Sequence, residues 1–258
     1  VATASMTSTA SAADSSAQLI GGQLAPASVK SVGALMFDAA PEGLRDAQTC
    51  GSVVVDDRWL LTAAQCVTDL GIPDEIPAKH KKFHVRVGLD RTQGGATGRV
   101  ERIFVNPQWN PNTPTGDLAL LQVDNDLDVP AARLAWWSPR PGDVLRTYGW
   151  GATEPLSKPD RSKLPKLLHQ LDLPVVPKQQ CADAGISHGE FCTGHPNAKG
   201  PAYGDAGGPA VTIDKRGRMR VVGIDSRGGS PVPGQSNTAF TDISSYRNWI
   251  EDTIAENS

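Results

Sequence analysis

Long apolar runs are absent from this 258-residue chain. None approaches the roughly 18–20 residues that a helix needs to cross a bilayer. Charge of one sign is not in excess either: the formal net charge is −3, which offers neither nucleic acid nor an anionic membrane a reason to bind. The single basic run, Lys79-His80-Lys81-Lys82, reads as a solvated loop. No Cys-x-x-Cys or His-x-x-x-His spacing offers a zinc site, so neither a metal nor another cofactor is expected. Lysine and arginine are missing from the first eighteen residues, VATASMTSTASAADSSAQ. A signal peptide needs a charged start and an apolar stretch, and both are lacking there. Ser11-Ala12-Ala13 is, however, the small-residue pattern that a signal peptidase cuts after. Residues 1–18 therefore read either as the tail of a signal peptide with a short pro-segment or as a disordered or cloning-derived tail.

Cysteine is limited to four residues, Cys50, Cys66, Cys181 and Cys192. Four allow three pairings into two disulfides, and closeness along the chain favours Cys50 with Cys66 and Cys181 with Cys192. An even count after an Ala/Ser-rich start reads as a secreted, oxidised protein.

Helical periodicity is scarce, and short strand-like runs between Gly, Pro, Asn and Asp turns take its place. Six fall in the first half: Gly33–Phe37, Cys50–Val55, Trp59–Thr62, His84–Gly88, Arg99–Val105 and Leu118–Val123. Six more fall in the second: Val144–Trp150, Leu167–Val176, Gly189–Gly194, Gly208–Ile213, Met219–Asp225 and Asn237–Asp242. A stretch of mixed polarity from about Asp126 to Gly142 reads as a linker. Near the C-terminus Tyr246, Trp249, Ile250 and Ile254 share one helical face, with Ser244 or Ser245 as the expected N-cap. Two closed six-stranded antiparallel barrels with a terminal helix would leave no exposed sheet edge. Periodicity does not separate that arrangement from one large sandwich.

Three segments have the composition of an acyl-transfer site, which needs a nucleophile, a base, an orienting carboxylate and oxyanion donors. They are CGSVVVDDRWLLTAAQC, TGDLALLQVD with Asp117 before a buried strand, and YGDAGGPAV, a tight glycine turn. In this order, and with LIGGQ near the start, GWG at 149–151, VVGIDSRG at 221–228 and YRNWI near the end, the chain resembles the chymotrypsin/trypsin-type serine proteases from about Leu19 to Ile254. The resemblance implies an all-β fold of two six-stranded barrels, about residues 19–125 and 143–242. A helix over 244–255 completes a single trypsin-like unit spanning 19–258.

Carried over by residue, the resemblance puts Gln65 at the place of the catalytic histidine, Asp117 at that of the aspartate and Ala206 at that of the nucleophile. Glutamine takes up no proton near neutral pH, and alanine has no attacking atom. The five histidines, His80, His84, His169, His188 and His195, all lie outside the LTAA segment and read as loop or surface residues. The oxyanion donors would be the N–H groups of Gly204 and Ala206. The specificity pocket would have Gly200 at its floor, Tyr203 at its mouth and Asp225, Ser226, Arg227 and Gly228 along its wall. Asp225 would face the pocket or pair with Arg227. The family's pocket disulfide cannot form, since its first position is Ala202 and no cysteine follows Cys192. The family's activating terminus would match Leu19-Ile20-Gly21-Gly22, with Asp205 as its partner, but Gln18 precedes Leu19 and offers a trypsin-like activator no site.

These departures imply a secreted pseudoprotease that binds a protein, peptide or small molecule in or near the old cleft, without nucleic acid or membrane partners. Two alternatives stand beside it: a serine endopeptidase captured as an active-site mutant, and an enzyme repurposed for non-proteolytic chemistry.

Overall fold

Alternation of apolar and polar residues along short segments shapes the chain into strands that bury one face. The structure, a computed structural model, describes residues 19–40, 42–71, 76–156, 160–230, 232 and 235–258; the N-terminal segment 1–18 considered above lies outside them. After a two-residue strand β1 (Gln23–Leu24) come β2 (Val32–Ala39), β3 (Leu44–Asp56), β4 (Trp59–Thr62), β5 (Lys82–Val87), β6 (Ala96–Val105) and β7 (Ala119–Val123). Strands β2 to β7 close into an antiparallel barrel in the order β2-β3-β4-β7-β6-β5. In β5 the alternation is plain: Phe83, Val85 and Val87 point inward, while Lys82, His84 and Arg86 face outward. Leu35, Phe37, Leu60, Leu61, Leu120 and Leu121 are fully buried, each worth roughly 1.5–3 kcal/mol against exposure.

The second half supplies β8 (Arg133–Leu134), β9 (Val144–Gly149), β10 (His169–Val176), β11 (Glu190–Thr193), β12 (Pro209–Ile213), β13 (Met219–Gly228) and β14 (Thr238–Asp242). Six of these close a second ring, β9-β10-β11-β14-β13-β12, to which β1 adds along β10 and β8 along β13. The fold is thus two six-stranded antiparallel barrels with a C-terminal helix, α1 (Ile243–Asn257). Helix α1 buries Ile243, Tyr246 and Ile250. Its N-cap is Asp242, not Ser244 or Ser245 as the sequence suggests: Asp242 ends β14 in extended geometry and its carboxylate accepts from the Ser244 N–H at 2.9 Å and the Ser244 hydroxyl at 2.7 Å.

Cys50 is bonded to Cys66 and Cys181 to Cys192. The first bridge ties β3 to the turn after β4; the second ties the 3₁₀ segment Lys178–Ala184 to β11. Among the described residues no helix is long and apolar enough to cross a membrane.

Candidate active-site cleft at the junction of the barrels

The chain leaves β4 through Ala63 and makes one 3₁₀ turn over Ala64–Cys66, pinned by the Cys50–Cys66 bridge. That turn presents Gln65, half-buried, toward Asp117. Asp117 lies just before β7, where Gly116 takes a left-handed φ of 61° and lets the chain turn sharply into the strand. Its carboxylate is completely buried. One oxygen accepts from the Gln65 backbone N–H at 2.9 Å; the other accepts from the Gln65 side-chain amide at 2.6 Å and from the Ser226 hydroxyl at 2.6 Å. The Gln65 amide nitrogen also donates to the Ser226 carbonyl at 2.6 Å. Both contacts of the Gln65 side chain are therefore donations. Burial pushes the Asp117 carboxyl above the usual range, opposed by the Ser226 and Gln65 hydrogen bonds and by the charge on Arg227.

Ser226 reaches this network because β13 carries a register shift between Asp225 and Arg227 against β14. An extra residue at such a bulge leaves the ladder and points its groups elsewhere. Here the Ser226 hydroxyl and carbonyl turn to Asp117 and Gln65, which come from the first barrel.

The glycine turn sits where the barrels touch. Gly204 and Gly207 have φ of 98° and 81°, a conformation that disfavours side chains. A β-carbon on Gly207 would lie 2.3 Å from the Thr62 hydroxyl oxygen and 2.6 Å from the Gly51 carbonyl. The Ala206 carbonyl accepts from the Gly51 N–H at 2.8 Å, and Gly204 O accepts from the Gln48 side chain at 3.1 Å. The N–H groups of Gly204 and Ala206 have no acceptor among the described residues. The Ala206 methyl group is partly buried against the main core.

Behind the turn Asp205 is wholly buried, and its carboxylate accepts from the N–H groups of Gly151 and Ala202, each at 2.8 Å. Gly149 and Gly151 make room for it; a β-carbon on either would fall about 2 Å from a carboxylate oxygen, 1.9 Å and 2.1 Å respectively. Burial lifts the Asp205 carboxyl to about 7, with the two amides pulling the other way. Asp225 is also buried and is raised well above the ordinary carboxylate range, by burial and by the neighbouring Asp205 and Asp117. Leu19 is buried in a small cluster with Leu171 and Leu173.

Arg227 does not pair with Asp225. Its guanidinium makes two bonds to Glu190, at 2.7 and 3.0 Å, and others to the carbonyls of Ala184 at 2.6 Å and Gly185 at 2.9 Å and to the Ser226 hydroxyl at 3.0 Å. The Glu190 side chain is fully buried and also accepts from the N–H and hydroxyl of Ser187. Glu190 was not among the residues the sequence singles out; an acid inside the apolar run EFCT was the available signal. Gln48 is not singled out either, and the mixed polarity of Leu44–Thr49 gives no signal for it. Tyr203 packs against the cluster of Ala152, Leu156 and Leu164. Gly200 is buried and donates to the Ile20 carbonyl at 3.2 Å, and Gly228 pairs with Thr238; neither joins the Asp117 network. His169, expected at the surface, is buried on β10, and burial lowers it to about 4, so the ring is neutral.

Known proteins resemble this chain in sequence and fold. The chain is 29% identical over 218 residues to Trypsin epsilon of Drosophila erecta, covering 80% of this chain and 78% of that protein. It is 29% identical over 217 residues to human Kallikrein-7, covering 80% and 77%. The solved structure of neuropsin, a serine protease expressed in the limbic system of mouse brain, superposes with a TM-score of 0.71 at 24% identity over 90% of this chain and 98% of that one. The model of the Trypsin family matches residues 26–250, nearly the whole described chain, and the protein belongs to that family.

Proposed function

We propose that this chain is a secreted trypsin-fold protein without peptidase activity, a pseudoprotease that binds a protein, peptide or small-molecule ligand in or near the cleft. The observation that carries the reading is the side-chain amide of Gln65, which donates to both the Asp117 carboxylate and the Ser226 carbonyl. A general base needs a free lone pair at the atom facing the nucleophile and a pKa near the working pH. An amide nitrogen has neither, and Ala206 supplies no hydroxyl to activate. The Gly204 and Ala206 amides remain available to an oxyanion. In an enzyme of this chemistry, such a hole and binding alone leave only roughly 10³–10⁴-fold over water.

The surroundings support divergence of the whole cleft. By resemblance Arg227 stands at a wall position that the family commonly fills with an aromatic residue, and its guanidinium is bound to Glu190. Ala202 has no cysteine partner. Among the described residues the Asp205 carboxylate accepts only from the Gly151 and Ala202 amides, as a chain that keeps the residues before Leu19 would require. An alternative, a serine endopeptidase captured as an active-site mutant, is favoured by the Asp117–Ser226 contact. Repurposed chemistry through Asp117, Tyr203, Asp225 or Arg227 is supported by the unpartnered Gly204 and Ala206 N–H groups.

The test is the double variant Gln65→His/Ala206→Ser, made with and without a free Leu19 terminus and assayed on a diverse peptide library. The expected outcome is a folded protein with no defined cleavage preference. Strong cleavage with a sharp preference would instead assign the chain to the endopeptidases.

A further inference from the structure

Far from the Gln65 network in sequence pattern, three neighbouring strands of the first barrel each bring one metal-ligating side chain to the outer surface. Asp38 comes from β2, Asp46 from β3 and His84 from β5. Strand β2 lies between the other two, with Met36 opposite both Gln48 and His84. The ligand atoms of the three residues all fall within 4.8 Å of one another. His84 Nε2 is 2.9 Å from an Asp46 carboxylate oxygen.

One backbone irregularity, a bulge in β3, produces this convergence. The β2–β3 register shifts between Phe37 and Ala39, where Arg45 and Asp46 of β3 lie opposite the single residue Asp38 of β2. Asp46 has a φ of 46°, in the left-handed region that disfavours a side-chain-bearing residue. Its backbone N–H is held by an Asp38 oxygen at 2.9 Å, so the bulge, with Asp46 as its left-handed residue, turns both carboxylates toward the imidazole. The cluster opens on a surface groove of about 830 Å³.

We propose that His84, Asp46 and Asp38 form a binding site for a zinc-class divalent transition cation. Zinc bonds of about 2.0–2.2 Å place tetrahedral ligand atoms a little over 3 Å apart. The observed spread closes to that distance by side-chain rotation, chiefly of Asp46, whose side chain is 69% exposed. Three protein ligands then leave a fourth position for water. Arg45 shares Asp38 at 3.4 Å through a side chain that is 76% exposed; an exposed pair of this kind holds weakly, so the guanidinium yields to the ion. Lys82 and Arg86 flank His84 on the same outward face of β5, and Arg99 lines the same groove. Their charges oppose any dication, and a hard ion held by charge and oxygen alone, calcium or magnesium, is the one they disfavour most. An imidazole ligand selects for zinc, nickel or copper. A bound ion would cross-link the β2–β3 hairpin to β5, two residues along from Gln48, which holds the Gly204 carbonyl.

The experiment is calorimetric titration of the EDTA-stripped full chain with zinc chloride, and in parallel with calcium chloride. The expected result is one saturable equivalent of zinc, no calcium heat, and an affinity that falls more than about tenfold in His84→Gln and in Asp46→Asn. His84→Gln keeps a hydrogen-bonding partner for Asp46, and far-UV circular dichroism checks that each variant is folded. Absence of saturable zinc binding up to millimolar concentration would overturn the site. Zinc binding unchanged in folded His84→Gln would overturn it too, by placing the ion at another histidine, and calcium binding as tight as zinc would overturn the assigned class.

Discussion

Gln65 makes with Asp117 the kind of contact an orienting carboxylate makes with a base, but with an amide at the other end. The carboxylate cannot tell a donating amide from a donating imidazole: it accepts two bonds from Gln65 and one from Ser226 either way. The local structure is therefore satisfied by a side chain that takes up no proton near neutral pH. Asp205 carries the clearest pH signature at this scale. Its folded pKa of about 7 lies above the reference 3.8, so the folded state holds its proton more tightly than the unfolded state. Stability from this group is then lost as pH rises from about 4 to about 7, at up to about 1.4 kcal/mol per pH unit, and is flat above. His169 works in the opposite direction: lowered from 6.5 to about 4, it contributes stability above 6.5 that is lost as pH falls through that window. The difference between the parent chain and Asp205→Asn isolates the first effect. In urea unfolding at pH 4 to 7.5, the parent's stability relative to the variant is expected to decline steadily up to pH 7. A difference that rises with pH would mean that a cation, such as a freed Leu19 terminus, faces Asp205.

At the scale of elements, β11 and β13 are joined by more than their shared neighbour β14. Arg227 on β13 reaches Glu190 on β11 and the carbonyls at the end of the 3₁₀ segment before it. Removing one partner of a buried ion pair leaves the other uncompensated, at about 3–5 kcal/mol. Arg227→Ala is thus expected to lower urea stability by that order, and Glu190→Gln/Arg227→Met to recover much of it. A loss below about 1 kcal/mol for Arg227→Ala, the range of an exposed pair, would show that the guanidinium is not needed there. The sequence announces most strands, because alternation and turn residues bound them: Trp59–Thr62 is read to the residue. It hides the start of β3, where Leu44–Thr49 is mixed in polarity and partly exposed. It also hides β1 and β8, two-residue strands too short to show a period. The cap of α1 is hidden in the sequence because Asp242 looks like the polar end of a strand, which it also is.

At the scale of the molecule, the site is a product of two closed barrels touching through glycines. A β-carbon on Gly51 would lie 2.7 Å from the Gly208 Cα. That approach sets the first barrel's Gln65 and Asp117 against the second barrel's Ser226. The positions of Gln65, Asp117 and the glycine turn were readable from motifs, since each motif is local. The Arg227–Glu190 pair and the Asp38–Asp46–His84 cluster were not, because both depend on which strands lie side by side and on bulges that sequence alone does not locate. The central claim is the proposal that this assembly does not cleave peptides, and the most direct measurement is hydrolysis of a fluorogenic peptide library by the unmodified chain from pH 6 to 9. The account predicts no cleavage distinguishable from that in buffer at any pH, since a residual roughly 10³–10⁴-fold over water lies far below detection for a peptide bond. Turnover that follows the purified chain and is lost on Gln65→Leu or Asp117→Ala would contradict it.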